Sequence, residues 1–173
     1  VFRINLGDGE VTRLTLPSIN SGGDYLVALS TDKKHLAVAR LAGNETEIIG
    51  YRLEGFSPTF LRKVNAVVKS LDWHEDELLY LKGNTVFSIS QNTDWEPRVF
   101  HEGQTLISQL QTAGGKVFAV QGDLSNSEIR QYNNPFIPET QVIDELTISS
   151  PQRDFSGVYS KTSDRIYFLS HRT

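Results

Sequence analysis

Short apolar runs recur along the chain, each entered through a polar turn. Leu36, Ala37, Val38 and Ala39 form the first run, and Leu78, Leu79, Tyr80 and Leu81 the second. Val117, Phe118, Ala119 and Val120 form the third, and Ile166, Tyr167, Phe168 and Leu169 the fourth. Their first residues, Leu36, Leu78, Val117 and Ile166, are 42, 39 and 49 positions apart. A half-exposed antiparallel strand alternates apolar with polar residues, whereas these runs are apolar throughout and need cover on both faces. No stretch has the i, i+3, i+4 spacing of a strong amphipathic helix, so the cover must come from other sheets. A period of roughly 40 to 50 residues with several short strands per unit belongs to β-propeller blades. The pattern predicts an all-β, β-propeller-like array of four-stranded antiparallel blades.

Read in order, residues 1–14 alternate about the turn Gly7, Asp8, Gly9 and form a hairpin, half a blade. Full blades are predicted over 25–64, 67–100 and 105–143, the first two with a Gly-Asn turn at Gly43-Asn44 and Gly83-Asn84. The fourth strand of the third unit is expected at 140–143, after the loop 133–138. A second half blade covers 155–170. The whole, 1–173, reads as one propeller fragment with three complete units between two half blades. Half blades leave open strand edges, which are templates for pairing. The terminal strands are therefore expected to pair with each other or to self-associate with a second copy.

The unit resembles the repeat of TolB-type β-propellers. Ser30, Thr31, Asp32, Lys33 and Lys34 stand for that repeat's Pro-Asp-Gly-Lys turn, with Thr31 replacing Pro and Lys33 replacing Gly. Arg165, Ile166, Tyr167, Phe168 and Leu169, running to Thr173, match its strand and polar loop, and Val86, Phe87, Ser88 and Ile89 its third strand. Thr12, Arg13, Leu14 and Thr15 match the closing strand, and Trp73 the Trp before the turn. The resemblance covers nearly the whole chain. It implies a periplasmic, non-enzymatic binding or sensing module, with a membrane-anchored winged-helix transcription regulator as the favoured host. The partner would be a protein or a small molecule, and any DNA-binding part would lie outside this chain. The alternatives are the gating propeller of a prolyl oligopeptidase-type peptidase and a TolB-type interaction scaffold.

Composition narrows this further. A net charge of −4 and a pI near 5.6, with basic residues scattered, argue against a nucleic-acid surface. With no Cys there is no disulfide framework and no Cys-based zinc site. No run approaches the 18 apolar residues of a membrane span. A chain that starts at Val1 and contains no Met is expected to be part of a longer protein.

Chemistry is sparse. There is no Gly-x-Ser-x-Gly elbow, so no catalytic residue is assigned. His74, Glu75, Asp76 and Glu77 miss the His-Glu-x-x-His pattern, because Leu78 holds the second His position. Together with Asp72 these carboxylates read as a solvated turn, and no metal or cofactor is assigned. His35 and His74 are expected at the surface, with His101 and His171 in or beside other turns. Trp73 reads as packing between blades. Gly22-Gly23 and Gly114-Gly115 read as turn glycines, and Asn44, Glu45, Thr46 match a glycosylation acceptor. Trp95, between Asp94 and Glu96 in a polar loop, is the one candidate interaction residue.

Overall fold

The computed structural model of the chain describes residues 1–122, 127–132, 145–148, 154–160 and 165–170. These residues divide into two compact units, Val1–Val67 and Val68–Thr173. Among them are three four-stranded antiparallel sheets and two two-stranded ones, each a simple meander. The fold class predicted from the apolar runs is the one observed.

The first unit holds the hairpin β1 (Phe2–Ile4) and β2 (Val11–Arg13), and one full sheet. That sheet runs β3 (Gly23–Leu29), β4 (His35–Ala42), β5 (Glu45–Arg52) and β6 (Ser57–Val64). Between β5 and β6 the chain makes a 3₁₀ turn at Glu54–Phe56. Pro58 is tolerated at the start of β6 because β6 is an outer strand with no neighbour on its far side.

The second unit holds β7 (Ser70–His74), β8 (Glu77–Lys82), β9 (Thr85–Ile89) and β10 (Arg98–Glu102) as one sheet. β11 (Ile107–Ala113), β12 (Lys116–Gly122), β13 (Ser127–Tyr132) and β14 (Glu145–Ile148) form the next. The strand expected at 140–143 and the loop 133–138 lie outside the described residues. The fourth strand that is described sits at Glu145–Ile148. β15 (Asp154–Ser160) and β16 (Arg165–Ser170) form the last pair.

The four repeat positions are structurally equivalent. Leu36 lies opposite Leu29, Leu78 opposite Trp73, Val117 opposite Thr112, and Ile166 opposite Tyr159. Each is thus the second residue of a second strand, set against the end of a first strand. In the three full sheets the runs are buried on both faces: Leu36 to Ala39, Leu78 to Leu81 and Val117 to Val120 all lie below one-tenth exposure. In the two-stranded last sheet, among the described residues, β16 pairs with β15 alone, and Tyr167 is exposed. In the second unit the seam between the full sheets is filled by Leu79, Leu81, Val86, Ile107, Leu110, Val117 and Ala119, with Phe100 packed against them.

That seam also carries polar links between first strands. Ser70, Asp72 and His74 alternate along β7, so they share one face. Ser70 Oγ accepts from Leu110 N at 3.0 Å and Asp72 Oδ2 accepts from Thr112 N at 2.6 Å. Thr112 Oγ1 donates to the Trp73 carbonyl. His74 Nε2 lies 3.3 Å from the Gly115 carbonyl.

Candidate functional site

Antiparallel meandering places the start of β3, the end of β4, the start of β5 and the end of β6 at one end of the first sheet. Four charged residues meet there in register. Asp24 lies opposite Arg40, Arg40 opposite Glu47, and Glu47 opposite Lys63. Residues directly opposite one another project on the same face, so the row alternates in sign across all four strands.

The row is not a uniform surface ladder. The Asp24 side chain is 3% exposed and Arg40 15%, whereas Lys63 is 66% exposed. Arg40 Nε donates to Asp24 Oδ1 at 2.7 Å, and Nη2 lies 3.5 Å from Oδ2. Thr15 Oγ1 donates to the same carboxylate from the segment that follows β2. Burial alone pushes the Asp24 carboxyl up. The hydrogen bonds from Arg40 and Thr15 and the Arg40 charge outweigh it and hold the carboxyl below its usual range. The same hydrogen bond raises the Arg40 guanidinium, which stays cationic. Tyr51, also near Arg40 and stacked on Phe56 at 4.7 Å, is raised by burial. Glu47 has only the looser Lys63 contact at 3.7 Å, a partly exposed pair worth little.

A cleft of about 250 Å³ opens at this end, lined by Ser18, Asn20, Ser21, Arg40, Ala42, Gly43 and Glu47. Its outer wall is the segment leading into β3. Gly22 pins that segment: its N–H donates to the Leu41 carbonyl at 2.8 Å, and a Cβ there would stand 2.6 Å from Leu41 Cδ2. Ser21 Oγ donates to the Ser18 carbonyl at 2.8 Å and shapes the rim. A guanidinium has five N–H donors. Asp24 occupies the Nε edge, Tyr51 also interacts with the guanidinium, and Arg40 is among the residues that line the cleft. The arrangement offers fixed donors from Arg40, acceptors from Glu47, and mixed groups from Asn20 and Ser18.

The other sheets do not repeat the row. The equivalent positions are Lys82, Thr85 and Glu102 in the second sheet, and Ile107, Gln121 and Glu128 in the third. At the same end of the second sheet, Asn84 Nδ2 donates to the Gly103 carbonyl at 2.7 Å and Gly103 N to Asn84 O at 2.9 Å.

The residues singled out from sequence lie elsewhere. Trp95 is half-buried, in a turn where Asp94 and Trp95 both take left-handed φ, 52° and 59°. The turn is held by Trp95 N and Thr93 Oγ1 donating to the Ser90 carbonyl. Trp73 is buried, as a packing residue should be. His74 is buried too, against the surface expectation, because the Gly114-Gly115 turn covers it. The solvated-turn reading of its neighbours holds for Glu75 and Asp76, which are exposed. It fails for Asp72, which joins two sheets, and for Glu77, which accepts from Arg98 Nη2 at 2.7 Å. His35 is partly exposed beside Asp32, His101 sits in β10, and His171 lies outside the described residues. Asn44 is exposed in its turn, while Thr46 is buried between Tyr25 and the Ala66 carbonyl. Among the described residues no three His, Asp or Glu side chains converge as a metal site.

No family model matches the sequence, and no curated protein matches it. Solved structures do match. An oligogalacturonate lyase in complex with manganese aligns with a TM-score of 0.58 at 8% identity, over 76% of this chain and 44% of that one. A luciferin-regenerating enzyme aligns with a TM-score of 0.50 at 12% identity, over 86% of this chain and 55% of that one. The chain thus spans about half the length of the structures it matches. At these identities the likeness is one of fold, and it fits the resemblance to TolB-like propellers at that level. It also corrects one expectation. The non-enzymatic reading came from the resemblance and from missing motifs, and it does not stand where two structures that share the fold are enzymes.

Proposed function

We propose that this chain is the ligand-binding segment of a longer β-propeller protein, and that its site is the cleft at the charged end of the first sheet. The observation that carries the reading is the contrast between sheets. Three sheets share one backbone plan, and among the described residues the first places a partly buried Arg–Asp pair beside an open cleft. Architecture alone would have produced the feature in each. Rigid sheets with variable loops at their ends are how such folds present sites. A periplasmic location and a membrane-anchored transcription regulator as host are the finer part of the proposal, and the TolB-type repeat supports them. Binding here is the first event of sensing and of catalysis alike. Self-association through the two-stranded terminal sheets belongs to the same proposal.

The test is a fragment screen read by amide shifts of the labelled chain. Perturbations should cluster on Ser18, Asn20, Ser21, Arg40, Gly43 and Glu47. Hits that perturb only the second unit would refute the assignment. In the parent reading frame, a winged helix with one apolar span of about 20 residues would support the regulator. A nucleophile elbow would support the peptidase instead.

A further inference from the structure

The chemistry of the cleft also selects a class of ligand, an inference that rests on the cleft being the binding site. We infer that the cleft takes a neutral polyhydroxylated molecule, presenting adjacent hydroxyls to Arg40 and Glu47.

Charge excludes the alternatives in turn. An anionic ligand would need Arg40 as its counter-ion, but that guanidinium is already paired with the buried Asp24 at 2.7 Å. It would also face Glu47 across the row. A cationic ligand would have Glu47, whose charge is shared with Lys63 at 3.7 Å, and would meet Arg40 beside it. The Asp24–Arg40 and Glu47–Lys63 pairs sum to zero charge, and the Val1 ammonium, 3.5 Å from Asp24 Oδ2, is not among the groups lining the cleft, so the lining itself gives no net ion a favourable partner.

Hydrogen-bonding capacity points the same way. Arg40 can only donate and ionised Glu47 can only accept. A hydroxyl does both, so neighbouring hydroxyls on one carbon chain or ring can meet a donor on one side and an acceptor on the other. Asn20 and Ser18 add groups of either kind at the rim. Asp24 fixes the guanidinium from behind, so little freedom remains to be lost on binding. The volume, about 250 Å³, falls just under the roughly 300–1,000 Å³ of drug-sized pockets and suits one ring. No aromatic side chain lines the cleft, so affinity for a lone ring should be roughly millimolar.

The test titrates the chain with D-glucose, myo-inositol, D-galacturonate and D-glucosamine, reading amide shifts at the cleft. Glucose or inositol should saturate the cleft residues, with galacturonate and glucosamine at least about fivefold weaker. Glu47→Gln and Asn20→Ala should each weaken the neutral probe by about fivefold or more. Asn20 is exposed on the rim segment, so its variant reports binding even if a change in the sheet disturbs folding. Equal or tighter binding of the uronate or the amino sugar at the cleft would overturn the ligand class and leave the site standing. The same holds if both variants bind the neutral probe as the parent does. If no probe and no screened fragment shifts the cleft, the site assignment falls, and this inference with it.

Discussion

Gly50 offers a sharp test of the packing in the first sheet. It sits in the middle of β5, opposite Phe60, and its φ lies outside the left-handed region. On backbone grounds alone Gly50→Ala should therefore stabilise, by about 0.4–1 kcal/mol, through loss of unfolded-state freedom. The space says otherwise. A Cβ at Gly50 would stand 2.0 Å from Phe60 Cε1, 2.4 Å from Cδ1 and 2.8 Å from Cζ. Carbon–carbon contacts settle near 3.5–4.0 Å, so the ring would have to retreat by about 1.5 Å. Phe60 is 9% exposed and has little room to do so. Overpacking of this kind costs about 1–3 kcal/mol, which exceeds the backbone gain, so the single variant should destabilise. Phe60→Ala alone should cost about 3–5 kcal/mol. In the Phe60→Ala background the obstacle is gone, and Gly50→Ala should become neutral or stabilising. The assay is a double-mutant cycle by urea denaturation, with constant m-values as the two-state check. A coupling of about 2 kcal/mol is expected, with the two single costs summing to more than the double. Additivity within about 0.5 kcal/mol, or a stabilised single variant, would show that the ring does not rest against Gly50.

Four other outcomes follow from groups already placed. Asp72→Ala strips acceptors from Trp73 N and Thr112 N and should cost about 2–4 kcal/mol; Asp72→Asn should recover part of it, and a urea midpoint unchanged in both would remove the link between β7 and β11. Asp24, held below its usual range, contributes stability that is present above its unfolded value near 3.9 and lost as pH falls through the lower folded value. Urea midpoints of wild type and Asp24→Asn between pH 5 and 2.5 should therefore converge as pH falls, and parallel curves would contradict the burial of a charged Asp24. Tyr80 is pushed up to about 12 by burial, so its stability contribution is intact below the unfolded value near 10 and declines as pH rises toward 12; absorbance at 295 nm should lose its highest-pH step in Tyr80→Phe, and that variant should flatten the alkaline loss. Replacing Asp24 and Arg40 together by Leu should leave stability within about 1 kcal/mol of wild type or raise it while abolishing binding at the cleft; retained binding would place the ligand elsewhere.

The architecture was legible because its signal is one of burial. A strand covered on both faces must be apolar at every position, and Leu36 to Ala39, Leu78 to Leu81 and Val117 to Val120 write that requirement directly. The charged row was half legible. Arg40 and Glu47 are symmetric about the Gly43-Asn44 turn, so hairpin arithmetic alone makes them neighbours. The outer members were hidden by two bulges. Between Asp24 and Leu26 the register with β4 shifts, which sets Asp24 rather than Tyr25 against Arg40. Between Gly50 and Tyr51 the register with β6 shifts, which sets Lys63 rather than Arg62 against Glu47. A bulge flips the alternation beyond it and leaves no mark in residue spacing. His74 was misread for a related reason, since a polar side chain in a turn-flanking position gives no sign that another hairpin will fold over it.

Equivalent positions in repeated sheets separate what the fold needs from what it does not. The polar residues of β7 all end on the backbone of the neighbouring sheet: Ser70 on Leu110, Asp72 on Thr112, His74 on Gly115. Their counterparts in and just after β3 are Leu26, Ala28 and Ser30, so that clasp belongs to one seam and is explained by holding it. Arg40 is different. Asp24 satisfies one edge of its guanidinium and neutralises its charge, a costly arrangement that a pair of apolar side chains could replace at no loss of stability. In neither of the other full sheets does the register set opposite charges directly across from one another at this place, and both sheets form. The fold therefore does not require the pair, and its remaining donors line an open cleft beside an acceptor held in register. A group that the architecture can do without, fixed by Asp24 beside space of ligand size, is what the proposed binding site would account for.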